Sequence, residues 1–582
     1  MNISFFGKTW IFLDPDKEKL ERIKLSCDID DLVARILINR NVDTPEEVKN
    51  FLNPTLRNAI PDPSLLIDMD KGVQRVVKAI NSNENIIIFG DYDADGITSS
   101  YIVIQYLRIL GLQPKYYIPS RFSDGYGISS ESIKLAISQN VELIIALDCG
   151  INSIEEIDEA NKFGIDSVII DHHVQLRKEV PNAAAVINPN RADQNEIEKS
   201  HIKKLCAAGV AFLFLIALQR ELRNINFFPD KKEPNLRDFI DAVALGTLCD
   251  VMEIRGMNRA IIKYCLKSGR YSIGISSLMK AFNIPKINST NDLLFFIGPA
   301  INAAGRVGDP HLALNLFLAE NIDSADRIAM KLLELNEERK LMEKQLLAEV
   351  NLMINTLDLQ SNNGICVFGN NWHEGILGII AGRIKDKYKK ASFVISFNKN
   401  GIGKGAARSV AGVNLANLLD IAKENNIIIS GGGHALAGGF SIYKDKIDEF
   451  KTFINDNIQL TNQNIVEIDC SISAQCDINK LSETLSILEP FGKGIENPTV
   501  CIKRLKIRFI KKIGNGNHMS ILFSDEFNKS NIRSVIFNTQ SKKTLLDSIE
   551  SNKDAILDII GQINQNEQFG SSVIIEDIRI SA

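Results

Sequence analysis

The sequence predicts an α/β protein in which a parallel-sheet domain is joined by a long helix to a smaller α/β domain, with an oligonucleotide-binding (OB-like) β-barrel at the C-terminus. Short, almost wholly apolar runs between residues 85 and 170 alternate with amphipathic stretches, as expected for parallel strands buried on both faces. Apolar residues then recur at helical spacing from Asp323 to Leu357. Strand-like runs separated by Gly and Asn turns fill the chain from about residue 465, which favours a small barrel.

Five regions follow one another along the chain. Residues 1–60 predict a polar helical segment, and residues 61–255 the first α/β domain, whose clearest strands are NIIIF (85–89), LIIAL (143–147) and SVII (167–170). Residues 256–360 predict a helical region and the connecting helix, which could reach roughly 50 Å at 1.5 Å per residue. Two shorter helices with a break near Asn336 are the alternative. Residues 361–460 predict the second α/β domain, and residues 465–582 the barrel.

Composition excludes few functions. The 582 residues carry a formal net charge of -5, so any contact with nucleic acid must come from local basic surfaces. The nine cysteines show no CxxC pair, which favours buried thiols in a reducing compartment over a zinc site or disulfides. The N-terminus lacks the pattern of a signal peptide, and the most apolar stretch, Ala207 to Leu218, is too short to span a bilayer. We therefore expect a cytoplasmic protein without membrane contact.

Acidic residues follow the first clear strand in FGDYDADGITSS (89–100). Asp91, Asp93 and Asp95 alternate there, so their carboxylates can converge on one side of an extended loop. Three such charges would repel one another unless a cation neutralised them, and hard oxygen ligands suit Mg²⁺ or Mn²⁺. A solvated loop is the alternative for this motif alone.

Acidic or histidine residues also follow the next two strands. Asp148 comes after strand 143–147, and Asp171-His172-His173 come after strand 167–170. Ligands bind outside the carboxyl ends of strands in open α/β sheets. An imidazole ligand among carboxylates favours Mn²⁺ over Mg²⁺. In DAVALGTLCDVMEI (241–254), Asp250 could add a carboxylate while Asp241 caps or orients the segment, and composition does not separate these assignments.

These motifs resemble those of a known family. FGDYDADGITSS, ALDCGINS, IDHH and ALGTLCDVM occur in the order of the four metal-binding motifs of the DHH phosphoesterases. Flanking blocks resemble the RecJ branch of that family, notably IPSRFSDGYG (118–127), FIGPAINAAGRVGDP (296–310), NNWHEGILGIIAGRI (370–384), GGGHALAGGFSI (431–442) and LEPFGKGIENPTV (488–500). The resemblance covers nearly the whole chain and implies a DHH domain, a DHHA1 domain and an OB-fold barrel.

The resemblance also implies two Mn²⁺ or Mg²⁺ ions and assigns their ligands. Asp95, Asp148, His172 and Asp250 would hold one ion, and Asp91, Asp93 and Asp148 the other, with Asp148 bridging. His173 would lie beside the scissile phosphate, orienting it or assisting proton transfer. The expected catalytic residues are Asp93, Asp95, Asp148, His172 and His173.

A second set of residues is expected to hold the nucleic acid. GGGHALAGGF predicts a glycine loop in which Gly432, Gly433 and His434 approach a phosphate, with a tight turn as the alternative. Arg121, Arg306, Arg408 and Ser409 are expected to bind phosphate through charged hydrogen bonds. We expect His373 to support the cleft and Trp372 to be structural. In IKRLKIRFIKK (502–512), Lys506 and Arg508 are expected to track a single strand, the alternative being an ordinary exposed strand face.

The function implied is a single-stranded-DNA-specific 5′-to-3′ exonuclease that acts by two-metal-ion catalysis in DNA recombination and repair. The expected partners are single-stranded DNA, a single-strand-binding protein and a RecQ-type helicase, with the enzyme itself a monomer. Two rivals share the metal motifs: a DHH phosphodiesterase for oligonucleotides, cyclic dinucleotides or pyrophosphate, and a catalytically silent replication scaffold. The RecJ-like flanking blocks and the basic barrel argue against the first, and the complete set of Asp and His ligands against the second.

Overall fold

A computed structural model describes the chain apart from residues 1–3, 6, 123–124, 126, 195–200, 230, 360, 460–464, 515–516, 528–529, 538–546, 550, 553, 567–569 and 582. The chain divides into two compact units. The first comprises residues 1–59, 253–260 and 462–582, and the second residues 60–252 and 261–461.

The N-terminal part of the first unit is not wholly helical. It contains β1 (Thr9–Phe12), α1 (Lys17–Cys27), α2 (Asp31–Asn39), α3 (Pro45–Leu52) and α4 (Leu56–Ala59). Strand β1 was missed at the sequence level because four residues form a strand only through a distant partner, here residues 465–468. The capping box of Thr44 and Glu47, with Pro45 at the first position, explains why α3 begins where it does.

The second unit opens with a parallel α/β sheet. Its elements are α5 (Met69–Ser82), β2 (Ile86–Phe89), α6 (Ala94–Ile109), β3 (Lys115–Tyr117), α7 (Ser130–Ser138), β4 (Leu143–Leu147), α8 (Ile154–Lys162), β5 (Asp166–Ile170), β6 (Ala185–Ile187), α9 (Ala207–Asn224) and α10 (Ile240–Cys249). The strand order is β3-β2-β4-β5-β6, and all pairs are parallel. Strands β2 and β4 are buried at every residue, as their apolar sequences predict.

Helices connect this sheet to a second one. They are α11 (Gly256–Ser268), α12 (Ile273–Ala281), α13 (Thr290–Asp292), a π-helix (Leu293–Ile297), α14 (Gly298–Val307), α15 (His311–Phe317) and α16 (Ile322–Ile354). Helix α16 is continuous for 33 residues, so the alternative of a break near Asn336 is wrong. Asn336 is buried, and its Oδ1 accepts two hydrogen bonds from Arg339 within the unbroken helix.

The second sheet is smaller and mixed. Its elements are β7 (Gly364–Asn370), α17 (Glu374–Tyr388), β8 (Ala391–Phe397), β9 (Ile402–Arg408), α18 (Leu415–Glu424), β10 (Ser430–His434), β11 (Ala437–Tyr443) and α19 (Ile447–Asn457). The order is β10-β11-β9-β8-β7, in which β7 and β8 are parallel and the other pairs antiparallel.

The C-terminal part of the first unit is a closed barrel. Its elements are β12 (Ile465–Ile468), β13 (Cys470–Ile472), α20 (Ile478–Ser486), β14 (Thr499–Ile513), β15 (His518–Asp525), β16 (Ile532–Ile536), β17 (Leu557–Asn566) and β18 (Gly570–Ile580). Strands β14, β15, β16, β18 and β17 form a ring, because β14 also pairs with β17. Helices α1–α3 pack on the core of this barrel.

The predicted fold class is confirmed: a parallel-sheet domain, a long helix, a smaller α/β domain and a five-stranded barrel. All nine cysteines are free. Among the described residues, no helix has the length and apolar character needed to cross a membrane.

Candidate active site

Polar side chains gather at the carboxyl edge of the first sheet. Asp91, Asp93 and Asp95 follow β2, Asp148 follows β4, and Asp171, His172 and His173 follow β5. Because these strands are parallel neighbours, their carboxyl ends meet at one edge. Most of the side chains are buried, which places a dense group of ionisable residues in a site of restricted water access.

His172 lies at the centre of this acidic cluster. Its Nε2 atom is 3.2 Å from Asp148 Oδ1, 3.6 Å from Asp250 Oδ2 and 3.8 Å from Asp95 Oδ2. Three sets of side chains are each close enough to share one metal ion: Asp95, His172 and Asp250; Asp91, Asp93 and Asp148; and Asp148, His172 and His173. The structure thus brings together all the residues expected to hold metal.

The loop after β2 is shaped by hydrogen bonds to its own carboxylates. Asp93 caps α6, and its Oδ1 accepts from the N–H groups of Asp95 and Gly96. The carboxylate of Asp95 accepts from Ala207 N at 2.7 Å and Ala208 N at 2.9 Å, at the start of α9. A Cβ atom at Gly96 would lie 2.6 Å from the backbone of Asp91, so this turn requires glycine.

Asp148 adopts a left-handed backbone conformation, with φ at 62°. This conformation is uncommon for a residue other than glycine and concentrates at functional sites. Asp241, by contrast, is buried and accepts from Ser272 N at 2.5 Å and Ala242 N at 2.9 Å. The two assignments left open by the sequence are therefore separated: Asp250 faces His172, and Asp241 orients the start of α12.

Burial and mutual repulsion raise the pKa values of three carboxylates in the cluster. Burial and the charge of Asp93 raise the pKa of Asp91 to about 8 and that of Asp95 to about 6. Burial and the charges of Asp95, Asp93 and Asp91 raise the pKa of Asp148 well above its usual range. Asp91 Oδ1 is buried and has no hydrogen-bond partner among the described residues. Such a set of oxygen donors with one imidazole fits divalent cations of the Mn²⁺ or Mg²⁺ type.

The two histidines have opposite electrostatics. Burial and the neighbouring charge of His173 lower the pKa of His172 to about 3, so this ring is neutral and suited to bind a metal. Burial opposes a charge on His173 as well, but the carboxylate of Asp171 outweighs it and raises the pKa of His173 to about 9. His173 Nδ1 donates to Asp171 Oδ1 at 2.8 Å. In the metal-free cluster His173 is therefore a cation at neutral pH.

Three arginines lie near the acidic loop. The guanidinium of Arg121 stacks 4.3 Å from the ring centre of Tyr92, and its buried Nε has no hydrogen-bond partner among the described residues. Arg306 Nη1 donates to Gly375 O at 3.2 Å, and Arg408 packs against Gly378. Burial and the charges of Arg121, Arg408 and Arg339 lower the pKa of Arg306 to about 10. The arrangement suits an anionic ligand.

The glycine-rich segment forms a β-hairpin that turns at residues 435–436, which agrees with the alternative of a tight turn. The approach of Gly432, Gly433 and His434 to a phosphate stays a prediction. Gly432 and Gly433 belong to β10, the edge strand of the second sheet, and pair with Gly439 and Gly438 of β11. The two strands can pair this closely because the residues are glycines: a Cβ atom at Gly433 would lie 2.3 Å from Ala437 O. At the end of β10, His434 stacks on His173 with ring centres 5.6 Å apart.

The remaining predicted residues are in varied settings. Ser409 is buried, and its hydroxyl donates to Val413 O at 2.8 Å, so in this conformation it is directed at its own loop. His373 caps α17 and meets the ring of Phe122 edge-on at 5.3 Å. Trp372 packs on the core beside α16 and donates from Nε1 to Glu349 at 3.2 Å. The binding roles of Ser409 and His373 stay predictions.

The two basic residues of the barrel lie on β14. Lys506 is half-buried and pairs with Ser524 of β15, whereas Arg508 is exposed at a β-bulge between Ile507 and Phe509. Their role in binding DNA also stays a prediction.

Three family descriptions match consecutive parts of the chain: the DHH family N-terminal domain over residues 85–247, the DHHA1 domain over 361–460 and the RecJ OB domain over 468–574. The single-stranded-DNA-specific exonuclease RecJ of Dickeya dadantii is 32% identical over 487 residues, which cover 80% of this chain and 82% of that protein. The chain belongs to the RecJ family. The RecJ of Escherichia coli is 32% identical over 450 residues, or 75% of this chain and 76% of the relative.

Solved structures of RecJ proteins share the fold. The crystal structure of Thermus thermophilus RecJ in complex with Mn²⁺ aligns with a TM-score of 0.81 and 23% identity, covering 98% of this chain and 80% of that one. A structure of exonuclease RecJ bound to manganese aligns with a TM-score of 0.58 and 27% identity, covering 70% of this chain and 97% of that one. The RecJ resemblance expected from the motifs is confirmed.

Two kinds of supporting residue in this RecJ-family site were missed. Asp171 accepts from the N–H groups of Ile151, His172 and His173, and Asn188 Nδ2 donates to His173 O at 2.9 Å. Asn188 follows β6, so the strand-end rule applied to Asp148 could have found it. Asn302 Oδ1 accepts from Ala94 N at 3.0 Å across 208 residues of sequence, and no local pattern indicates such a contact.

Proposed function

We propose that this chain is a single-stranded-DNA-specific exonuclease that hydrolyses phosphodiester bonds from the 5′ end with two divalent ions. The observation that carries the proposal is the sharing of Asp148 and His172 between overlapping sets of ligands at one sheet edge. Its support is the membership in the RecJ family, whose curated relatives are named single-stranded-DNA-specific exonucleases.

The ligand assignment follows the overlapping sets. Asp95, Asp148, His172 and Asp250 would hold one Mn²⁺ or Mg²⁺ ion, and Asp91, Asp93 and Asp148 the other. When bound, two such ions activate a water and stabilise the attacking and leaving oxygens of an in-line displacement. The protein keeps His172 neutral and its carboxylates fixed by backbone N–H groups, so the donor atoms are arranged in advance.

His173 would act on the scissile phosphate rather than as a permanent ligand. Its Nδ1 proton is directed to Asp171, whose carboxylate raises the pKa of the ring and favours its protonated form. The Nε2–H group can then donate to a phosphate oxygen and stabilise the charge that develops there. Stacking on His434 keeps the ring in place.

The arginines near the acidic loop would bind the terminal phosphate of the strand. Arg121, Arg306 and Arg408 provide planar donors that suit phosphate oxygens. The edge strand β10, with Gly432 and Gly433, would approach the backbone of the nucleic acid. Lys506 and Arg508 of the barrel would contact the strand further from its end.

The proposal extends to the cellular setting of the enzyme. We expect a monomer in the cytoplasm that acts in recombination and repair with a single-strand-binding protein and a RecQ-type helicase. Free cysteines are in keeping with a reducing compartment.

The deciding experiment is digestion of a single-stranded oligonucleotide labelled at its 5′ end, beside its duplex and its 3′-labelled form, with Mn²⁺. Early release of the 5′ label from the single strand alone is expected. The double variant Asp93→Ala, His172→Ala should abolish it, while Asp420→Asn, at an exposed carboxylate on α18, should not. Cleavage of only dinucleotides or pyrophosphate would contradict the proposal.

A second comparison tests the phosphate site. Arg121→Ala should slow digestion of a strand with a 5′-phosphate more than digestion of one with a 5′-hydroxyl. Equal slowing of both substrates would mean that Arg121 does not recognise the terminal phosphate.

A further inference from the structure

A basic pocket of about 680 Å³ lies where α14, α16 and α17 meet the π-helix. Its described lining contains five cationic side chains: Arg306, Arg339, Lys340, Lys344 and Arg383. Glu343 is the only acidic residue among the described residues that line it, so five positive charges and one negative charge leave a net charge of +4. A surface of this kind attracts anions.

The pocket is ordered by that single carboxylate. Arg339 is buried and donates from Nη1 to Glu343 Oε2 at 2.9 Å, and Arg383 donates from Nε to Glu343 Oε1 at 2.9 Å. Lys340 and Lys344 are exposed, and their spacing of four residues places them on one face of α16. Lys340 also donates to Glu337 Oε1 at 2.7 Å, outside the lining. The two carboxylates thus hold three of the cations, and the lining keeps an excess of positive charge for a ligand.

The pocket adjoins the acidic cluster. Asn302 lines it and accepts from Ala94 N, the first residue of α6. Arg306 also lines it, and its charge interacts with Arg121 and Arg408 and with Arg339. Positive charge is therefore continuous from the arginines beside the acidic loop into the pocket.

An aromatic ring completes the lining. Phe295 lines the pocket from the π-helix, and 66% of its surface is exposed. Exposed aromatic rings beside cations offer a stacking surface for a base, and π-helical turns occur often at functional sites. The volume is in the range of small-ligand pockets.

We propose that this pocket binds a nucleoside 5′-phosphate, with the phosphate on the lysines and arginines and the base on Phe295. Two sources have this chemistry: the mononucleotide released by digestion and a free nucleotide that regulates the enzyme. The first source rests on the proposed function, whereas the binding site itself does not.

The test is calorimetric titration of the full-length protein with dAMP, in Mg²⁺ and again in EDTA. Without cations the acidic cluster repels phosphate, so titration in EDTA removes binding through metal ions. The pocket variant then distinguishes the basic pocket from the arginines beside the acidic loop. The double variant Lys340→Glu, Lys344→Glu should weaken binding by about tenfold or more, because two cations that face the phosphate become anions. The control is Lys331→Glu, Lys385→Glu, which makes the same charge change on α16 and α17 outside the lining. It should bind as the wild type does.

Further titrations separate the sources. Two outcomes support the proposal, and in both the pocket variant must weaken binding. If dAMP binds at least as tightly as ATP, the ligand is the product of digestion. If ATP binds more tightly than dAMP, the ligand is a free nucleotide. Absence of dAMP and ATP binding, or equal loss in pocket and control variants, overturns the proposal. The proposal is also overturned if the pocket variant weakens binding of an oligonucleotide but not of dAMP or ATP. The pocket would then be part of the surface that binds the DNA strand.

The nuclease proposal is judged separately by label release from the same preparations. A wild type that binds dAMP in the pocket but releases no label would leave the pocket in place and refute the exonuclease. A wild type that releases label but binds neither nucleotide would support the exonuclease and refute the nucleotide pocket.

Discussion

At the scale of single residues, Asp148 has the most demanding position in the acidic cluster. It belongs to two of the possible metal sets, lies within 3.2 Å of His172 and adopts a left-handed conformation. Its buried carboxylate is repelled by Asp95, Asp93 and Asp91. Function and stability therefore oppose each other at this residue.

Asp148→Asn should reduce hydrolysis of single-stranded DNA by about a thousandfold. The same change should raise the melting temperature of the metal-free protein, because it removes one charge from a repulsive cluster. Digestion rates and thermal melts in EDTA measure the two effects. Asp420→Asn is the control, and a lower melting temperature for Asp148→Asn would contradict this account.

The stability of the metal-free protein should fall as pH rises from about 6 to about 9. Asp91, with a folded pKa of about 8, keeps a proton in this range that the unfolded state has lost, whereas Asp95, with a pKa of about 6, has lost most of its contribution at the lower end of the range. That stability is present at low pH and is lost as pH passes through each folded pKa. His173, with a pKa of about 9, acts in the same direction. The lowered pKa of His172 destabilises the fold only below pH 6.5.

Thermal melts at several pH values, in EDTA and in Mg²⁺, measure this dependence. Bound cations replace the protons, so the slope should be smaller in Mg²⁺. A melting temperature in EDTA that stays constant or rises between pH 6 and pH 9 would show that the carboxylates do not repel one another as described.

At the scale of elements, α14 supports the site from behind. Gly305 packs against Tyr92, Asn302 caps the start of α6, and the carbonyl of Arg306 touches Gly375 at the start of α17. This helix therefore joins the acidic loop to the second sheet by close backbone contacts that tolerate no added side chain.

Gly375→Ala should cost about 1–3 kcal/mol of unfolding free energy, because its Cβ would lie 2.0 Å from Arg306 O. The matched control is Gly382→Ala on the same helix, where no described atom beyond the neighbouring helix backbone lies within 4 Å of the added Cβ. It should be neutral or stabilise by up to about 1 kcal/mol. Denaturant titration of both variants gives the difference, and equal stabilities would contradict the packing argument.

At the scale of the whole molecule, the acidic cluster and the barrel residues predicted to bind the strand belong to different units. The acidic cluster is in the second unit, whereas β14 with Lys506 and Arg508 is in the first. Changes on the barrel should therefore alter affinity for DNA without altering the chemistry at the cluster.

Lys506→Gln, Arg508→Gln should weaken binding of single-stranded DNA and reduce the slope of log affinity against log salt by about 1.4, from about 0.7 per lost phosphate contact. kcat at saturating substrate should not change. The control is Lys17→Gln, Lys49→Gln, at exposed positions of α1 and α3 in the same unit. Identical salt slopes for the two variants would exclude the barrel residues from the binding surface.

The sequence predicted most of the acidic cluster because its residues follow buried strands. A parallel sheet has one carboxyl edge, so Asp91, Asp148 and His172 had to meet there once the strands were recognised. The contacts that sequence reasoning missed are long-range, such as Asn302 on Ala94, or depend on pairing, such as β1 on β12. Neither kind has a periodic signal.

By itself the sequence determined the fold class, the order of the domains and the ligands at the strand ends, because burial period and strand direction are local properties. Only the tertiary structure decided that Asp241 accepts from the start of α12, that the glycine segment is a hairpin, and that five cations line one pocket with Glu343. These outcomes depend on which distant surfaces pack together. That packing is determined by the shape and charge of residues on different elements, which are far apart in the sequence.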